Sequence, residues 1–179
     1  MKLAIGMVEL NSIAKGIETC DYMVKSARVE LLRSATTCPG KYLILIGGET
    51  GDVKTAVAEG ISRGGGNVVD SLLLPNVHPA VIPAVRGKTQ PSAYGALGVL
   101  ETRTVAAAVT AADAAAKAAN IVLIRVHIGY AIGGKGYVTL TGEVGSVEAA
   151  VERAKNSTDR LIGTAVIPHP SKELLKRLA

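Results

Sequence analysis

The sequence contains no tryptophan and no phenylalanine, and its five tyrosines are dispersed along 179 residues. A core without large rings must be filled by Ala, Val, Ile and Leu, which favours thin α/β layers with small helix faces. Uninterrupted apolar runs of the roughly 18 residues that a bilayer span requires are also missing. The first residues lack the layout of a signal peptide, so a cytoplasmic protein with no membrane partner is expected. Only two cysteines occur, Cys20 and Cys38, and in a reducing compartment a structural disulfide is a poor account of either. The net charge of +5 comes from basic residues that are scattered, apart from Lys172, Lys176 and Arg177 near the end, rather than from a dense stripe interleaved with aromatics, which argues against nucleic acid as a partner.

What the chain does contain is a repeat of itself. Ala4-Ile5-Gly6-Met7-Val8-Glu9 returns as Ala96-Leu97-Gly98-Val99-Leu100-Glu101. The same offset pairs Ala14 with Ala106, Asp21 with Asp113, Lys25 with Lys117, Leu31 with Leu123 and Arg33 with Arg125. Two Ala-rich helices alike by chance would not hold Gly, Glu, Asp, Lys and Arg in register. After a length change of two residues the match resumes, Gly40-Lys41 against Gly134-Lys135 and Gly48-Glu49 against Gly142-Glu143, and it closes with His78-Pro79 against His169-Pro170. The change falls at Cys38 to Gly40, opposite Ile132 to Gly134, where a hairpin tip would tolerate it. This divides the chain into a first domain over 1–86, a linker over 87–94 and a second domain over 95–179.

Each copy shows the same order of periods. Leu3 to Glu9 reads as a strand, and the next segment places Ile13, Ile17, Cys20, Val24 and Ala27 on one face of a helix. Val29 to Thr37 and Lys41 to Gly47 read as strands joined by Cys38-Pro39-Gly40. A helix expected from Asp52 to Arg63 stops at Gly64-Gly65-Gly66, a last strand is expected over Val68 to Leu74, and a helical turn near His78. In the second copy strands are expected over Gly95 to Glu101, Ile121 to Ile128, Gly136 to Thr141 and Leu161 to Ile167, with helices over Thr104 to Ala118, over Ser146 to Lys155 and from Ser171. The expected class is α/β (α+β): two tandem ferredoxin-like β-α-β-β-α-β units, in each of which helices cover one face of a four-stranded sheet.

The opening Ala4 to Leu10, the helix Cys20 to Ala27 running into Val29-Glu30-Leu31-Leu32, and the hairpin end Gly40-Lys41 resemble the domain of bacterial microcompartment shell proteins. Leu97 to Thr102, Asp113 to Asn120 and Gly133-Gly134-Lys135 carry the same marks, so the resemblance covers nearly the whole chain. In that family, chains with one such domain form hexagonal tiles and chains with two form trimers that imitate the hexagon. The resemblance therefore implies a homotrimer, a pseudohexameric tile set edge to edge among other shell proteins. Each copy begins with its opening strand, as in the unpermuted tandem members. Thr37-Cys38-Pro39-Gly40-Lys41, with Asn76-Val77-His78-Pro79 downstream, is similar to the iron-sulfur-carrying trimeric members from propanediol-utilisation compartments.

In the family the hairpin between the second and third strands lines a central pore. The resemblance thus implies that Thr37, Cys38, Pro39 and Gly40 of the first copy and Ile132, Gly133 and Gly134 of the second surround that pore. One Cys38 from each subunit would give three soft ligands to one [4Fe-4S] cluster per trimer, able to relay electrons across the shell and to an encapsulated redox enzyme. The blander reading under the same resemblance makes Cys38 a small turn residue beside a pore that passes metabolites. Cys20, on the apolar helix face, reads as a small hydrophobe. The resemblance puts Lys25 and Lys117 at the tile edge, and their Asp-x-x-x-Lys spacing also allows an ion pair one helical turn apart. His78 and His169 follow the last strand of each copy and read as edge contacts, since no other metal-ligating residue stands at ligand spacing beside them. His127 reads as a satisfied or partly exposed strand residue.

Two motifs fail. Gly129 to Gly136 approaches a phosphate-binding loop, but Gly136 stands where the hydroxyl is needed and a strand rather than a helix follows. Asn156-Ser157-Thr158 spells a glycosylation acceptor that a cytoplasmic chain does not use. No catalytic triad, carboxylate pair or cofactor fingerprint is visible, which argues against an enzyme. Two rival readings stay open: a cluster-free metabolite pore, and a duplicated ferredoxin-like regulator or small enzyme binding a ligand between its copies.

Overall fold

In a computed structural model that describes residues 3–87, 89–128 and 132–178, the two copies form two separate four-stranded antiparallel sheets. The first copy runs β1 (Ala4–Leu10), α1 (Ile13–Ser26), β2 (Val29–Thr37), β3 (Lys41–Gly48), α2 (Thr50–Gly64), β4 (Val68–Leu74) and α3 (Val81–Val85). The second runs β5 (Ala96–Thr102), α4 (Val105–Ala118), β6 (Val122–Ile128), β7 (Gly136–Gly142), α5 (Val144–Lys155), β8 (Leu161–Ile167) and α6 (Lys172–Leu178). Strand order is β2-β3-β1-β4 in one sheet and β6-β7-β5-β8 in the other, as the expected β-α-β-β-α-β unit requires. Even the irregularities repeat. Register shifts fall between Glu9 and Leu10 and between Leu31 and Arg33, and again between Glu101 and Thr102 and between Leu123 and Arg125.

By packing, the chain forms two units. One holds the residues up to Val77 together with the tip residues 132–134, and the other holds His78 to Ile128 and the chain from Lys135 onward. The short α3, although it follows the first copy in sequence, belongs to the second unit, where it lies on β6 and α4.

β1 is apolar through most of its length because it is the inner strand between β3 and β4, and all of it is buried. Its residues Ala4, Val8 and Leu10 join Cys20 and Met23 of α1, Ile44 and Ile46 of β3, and Val53, Ala56 and Val57 of α2 in one apolar cluster. Each fully buried aliphatic side chain of this kind contributes about 1.5–3 kcal/mol. Gly6 interrupts the strand, and α2 comes so close there that a Cβ on residue 6 would collide with Val57 and stand 2.8 Å from Val53. Gly98 holds the same place in β5, with Leu140 2.7 Å and Val147 3.0 Å from a Cβ built on it. The absence of Phe and Trp and the presence of these strand glycines describe one arrangement: helices laid close on the sheet with mostly aliphatic side chains between.

Ser12 caps α1 by accepting the Lys15 N–H at 3.3 Å, and Thr104 caps α4 by accepting that of Ala107 at 3.2 Å. The buried stripe of α1 is Gly16, Thr19, Cys20 and Met23, rotated by about one residue from the expected face. The cause is Gly16, which lets the helix press on Tyr42 so tightly that a Cβ there would lie 2.5 Å from the ring Cγ. Ile13, Ile17 and Val24 are thereby turned to an exposed flank. In α4, the repeat of α1, the corresponding Val105 and Val109 are buried. Among the described residues no helix is long and apolar enough to cross a membrane.

Gly6→Ala is expected to lower stability by about 1–3 kcal/mol through overpacking, measured by chemical denaturation. Gly51→Ala in the first turn of α2, where a Cβ meets nothing within 4 Å, is expected to leave stability unchanged or slightly higher.

Candidate functional site: the hairpin tips

Thr37 and Lys41 form the last rung between β2 and β3, so Cys38, Pro39 and Gly40 make the turn beyond the sheet. Thr37 is buried, Cys38 half-buried, and Pro39 and Gly40 exposed. The Cys38–Pro39 peptide is cis, and Gly40 has a φ of 75°. At the other tip Ile132 is half-buried, Gly133 exposed and Gly134 buried, with φ angles of 61° and 80° at the two glycines that a side chain would strain. Residues 129–131, which open the loop resembling a phosphate-binding motif, lie outside the described residues.

Within the first unit Gly134 rests against the Cys38 turn. A Cβ on it would stand 2.8 Å from the Cys38 carbonyl oxygen and 2.9 Å from Pro39 Cδ, so glycine is what allows the two tips to meet. Lys41 ties them together: its Nζ donates to the Gly134 carbonyl at 3.4 Å and to Glu9 Oε1 at 2.8 Å. The Glu9 side chain is 0% exposed and that of Lys41 15%, so this is a largely desolvated ion pair at the root of the hairpin. The repeated pair, Glu101 with Lys135 at 2.8 Å, is 41% and 48% exposed. Sequence reasoning missed the buried pair, although Glu9/Glu101 and Lys41/Lys135 both hold the register of the repeat and signalled that the two residues meet.

The two thiols have different settings. Cys20 is buried in the helix-facing core, and the Ser34 hydroxyl donates to its Sγ at 3.4 Å, which is the small-hydrophobe role expected of it. Cys38 stands out at the turn. Among the described residues no group of three or more His, Cys, Asp or Glu could hold a metal. One chain thus offers one thiol outside the core.

Farther from the tips, the Asp-x-x-x-Lys spacing makes the ion pair it allows in both copies: Lys25 with Asp21 and Lys117 with Asp113, each at 2.6 Å. The Asp21 carboxylate, first through the hydrogen bond and then through its charge, holds the Lys25 ammonium above its ordinary range, so Lys25 stays charged throughout neutral pH. Asp113 is buried and its second oxygen accepts the His78 N–H at 2.8 Å. His78 is half-buried and its Nδ1 accepts the Ala80 N–H at 3.3 Å, whereas His169 is exposed. His127 is half-buried and stacked on Tyr137 across the β6–β7 ladder, ring centroids 4.9 Å apart.

A family model described as the BMC domain matches residues 4–77 and again residues 96–170. The chain belongs to the BMC-domain family. Its tandem BMC domains are 46% identical to the bacterial microcompartment shell protein PduT of Citrobacter freundii, over 99% of this chain and 98% of that one. They are 33% identical to the carboxysome assembly protein CcmO of Synechococcus elongatus, over 98% of this chain and 68% of that one. A crystal structure of a microcompartment protein from Desulfitobacterium hafniense DCB superposes with a TM-score of 0.89 at 42% identity, covering 98% of this chain and 99% of that one.

The contrast between the two ion pairs is measurable. Glu9→Gln leaves Lys41 charged and poorly hydrated and is expected to lower stability by about 3 kcal/mol or more. Glu101→Gln, which frees a solvated lysine, is expected to change it by less than about 1 kcal/mol. Parallel denaturation curves of the two variants check this.

Proposed function

We propose that this protein is a homotrimeric tile of a bacterial microcompartment shell in which Cys38 of three copies holds one [4Fe-4S] cluster. Its structural role in the shell follows from membership of the BMC-domain family across both halves of the chain. The redox addition is supported by one observation: of the two thiols, the one outside the core is at the tip of a hairpin rooted by a buried ion pair. A thiol on so firmly seated a turn meets its counterparts about a threefold axis at a defined separation, as a shared ligand set requires.

When bound, the cluster supplies one-electron transfer through a wall that separates two redox pools, with an encapsulated redox enzyme as the partner on one side. The chain's own residues supply the ligand and its rigidity. Cys38 gives the thiolate, Gly40 provides the left-handed backbone position of the turn, Gly134 keeps the neighbouring tip low, and Lys41 fixes both to Glu9. Three thiolates leave one iron of a four-iron cluster without a protein ligand, open to water or a small thiol. Lys25 and Lys117, exposed near the ends of α1 and α4, are assigned to edge-to-edge contacts with other shell proteins.

Anaerobically purified or reconstituted protein is expected to contain about four irons and four sulfides per trimer. Cys38→Ala is expected to lose them while light scattering still reports a trimer, and Cys20→Ala to keep them. A wild-type trimer that takes up no iron under reconstitution leaves a shell pore for metabolites and removes the redox role.

A further inference from the structure

Formal charge is sparse where the outer thiol is held. Residues 34–40 and 132–134 carry none, and the charges at the root of the first tip are those of Lys41 and Glu9. Little water surrounds this pair, with Glu9 0% and Lys41 15% exposed, so its field is screened far less than that of a surface pair. The ammonium bonds the tip directly. Lys41 Nζ donates to Glu9 Oε1 at 2.8 Å and to the Gly134 carbonyl at 3.4 Å. A Cβ built on Gly134 stands 3.0 Å from that Nζ and 2.8 Å from the Cys38 carbonyl oxygen, so the ammonium and the backbone of the thiol residue border one point.

Holding a hairpin in place does not by itself call for charge. Two apolar side chains of similar volume seat a buried contact as well as an ion pair does, or better. What the ion pair adds is a fixed charge at a fixed place. The repeat gives the contrast: Glu101 and Lys135 make the same 2.8 Å pair with 41% and 48% exposure, beside residues 132–134, which include no thiol. The desolvated charge stands at the tip that carries the cysteine.

We propose that Lys41 sets how readily a cluster at Cys38 accepts an electron, an inference that rests on the cluster reading above. A four-iron centre held by thiolates is anionic, and the single electron it takes from a low-potential donor adds one negative charge while no bond to the protein forms or breaks. An ammonium fixed beside the ligand residue stabilises the reduced state more than the oxidised one and so raises the potential, which net charge and solvent exposure govern in such centres. Glu9 acts in two ways: it keeps the ammonium at the tip, and its own charge offsets part of that field. Lys41 is thus a positioning residue whose charge, and not only its grip, reaches the cluster.

The test uses the full chain, reconstituted anaerobically, counted for iron and titrated with dithionite while EPR reports the reduced cluster. Lys41→Met removes the positive charge and is expected to disfavour reduction about tenfold, a fall of about 59 mV for one electron. Glu9→Gln keeps the ammonium without its counter-charge and is expected to shift the potential upward. Lys41→Arg keeps the charge and is expected to keep the wild-type potential. A tip that is merely loosened moves the potential the same way in Lys41→Met and Glu9→Gln, so opposite signs separate charge from fit. The double variant Glu9→Gln/Lys41→Met leaves neither charge buried alone and covers the case in which a single variant does not fold. It lacks the ammonium that bonds the tip, and its potential is expected below that of wild type. Single variants that shift together, or a double variant that does not shift, overturn the role of Lys41 and leave the cluster; a wild type that takes up no iron overturns the cluster reading and this inference with it.

Discussion

Both units depend on how close α2 and α5 come to the middle strand of the sheet. At Gly6 and Gly98 there is no room for a Cβ, and the helices that lie over them meet the sheet through Val, Ala and Leu. A layer packed at that distance cannot absorb a large ring, and the composition contains none of the largest. The close approach also fixes the line of the strand, hence the reach of the hairpin that its neighbour β3 completes. The position of Cys38 is in this sense set by Gly6, far from it in sequence, which lets the helix down onto the sheet.

At the far end of that hairpin, equivalent ion pairs face different media. Glu9 and Lys41 have given up most of their hydration, and their attraction is strong only while both remain. Glu101 and Lys135 keep much of theirs, and water screens the attraction between them. Duplication supplied the same two residues, and burial alone made one pair a structural anchor. The Asp113 carboxylate shows the same logic: its repeat Asp21 pairs with Lys25 at the surface, whereas Asp113 is buried and also accepts the His78 N–H.

The strands, the helix order and the turn at Cys38 were legible because each pattern occurs twice, and the length change between copies marks the place where the chain can vary. The face of α1 was not. Ile13, Ile17 and Val24 form a convincing apolar stripe, but Gly16 decides which flank meets the sheet, and the effect of a glycine shows only against Tyr42 on another strand. Glu9 was only partly legible: it and Lys41 keep the register of the repeat, but the burial of the pair shows only when β1 and β3 lie side by side. Local periodicity reports what a segment could bury. It does not report which of two available faces is used by the unit's own sheet.

Carrying both domains on one polypeptide has a genetic consequence for the tips. In a ring of identical single domains every hairpin must carry the same residue, so a thiol gained at one is gained at all. Here the first tip has Cys38 and the second Gly133 and Gly134, on frameworks whose strands, caps and bulges still coincide. The two tips are separate positions in one gene, free to diverge while the scaffold beneath them is held in common, so a thiol can be gained at one tip without being gained at the other.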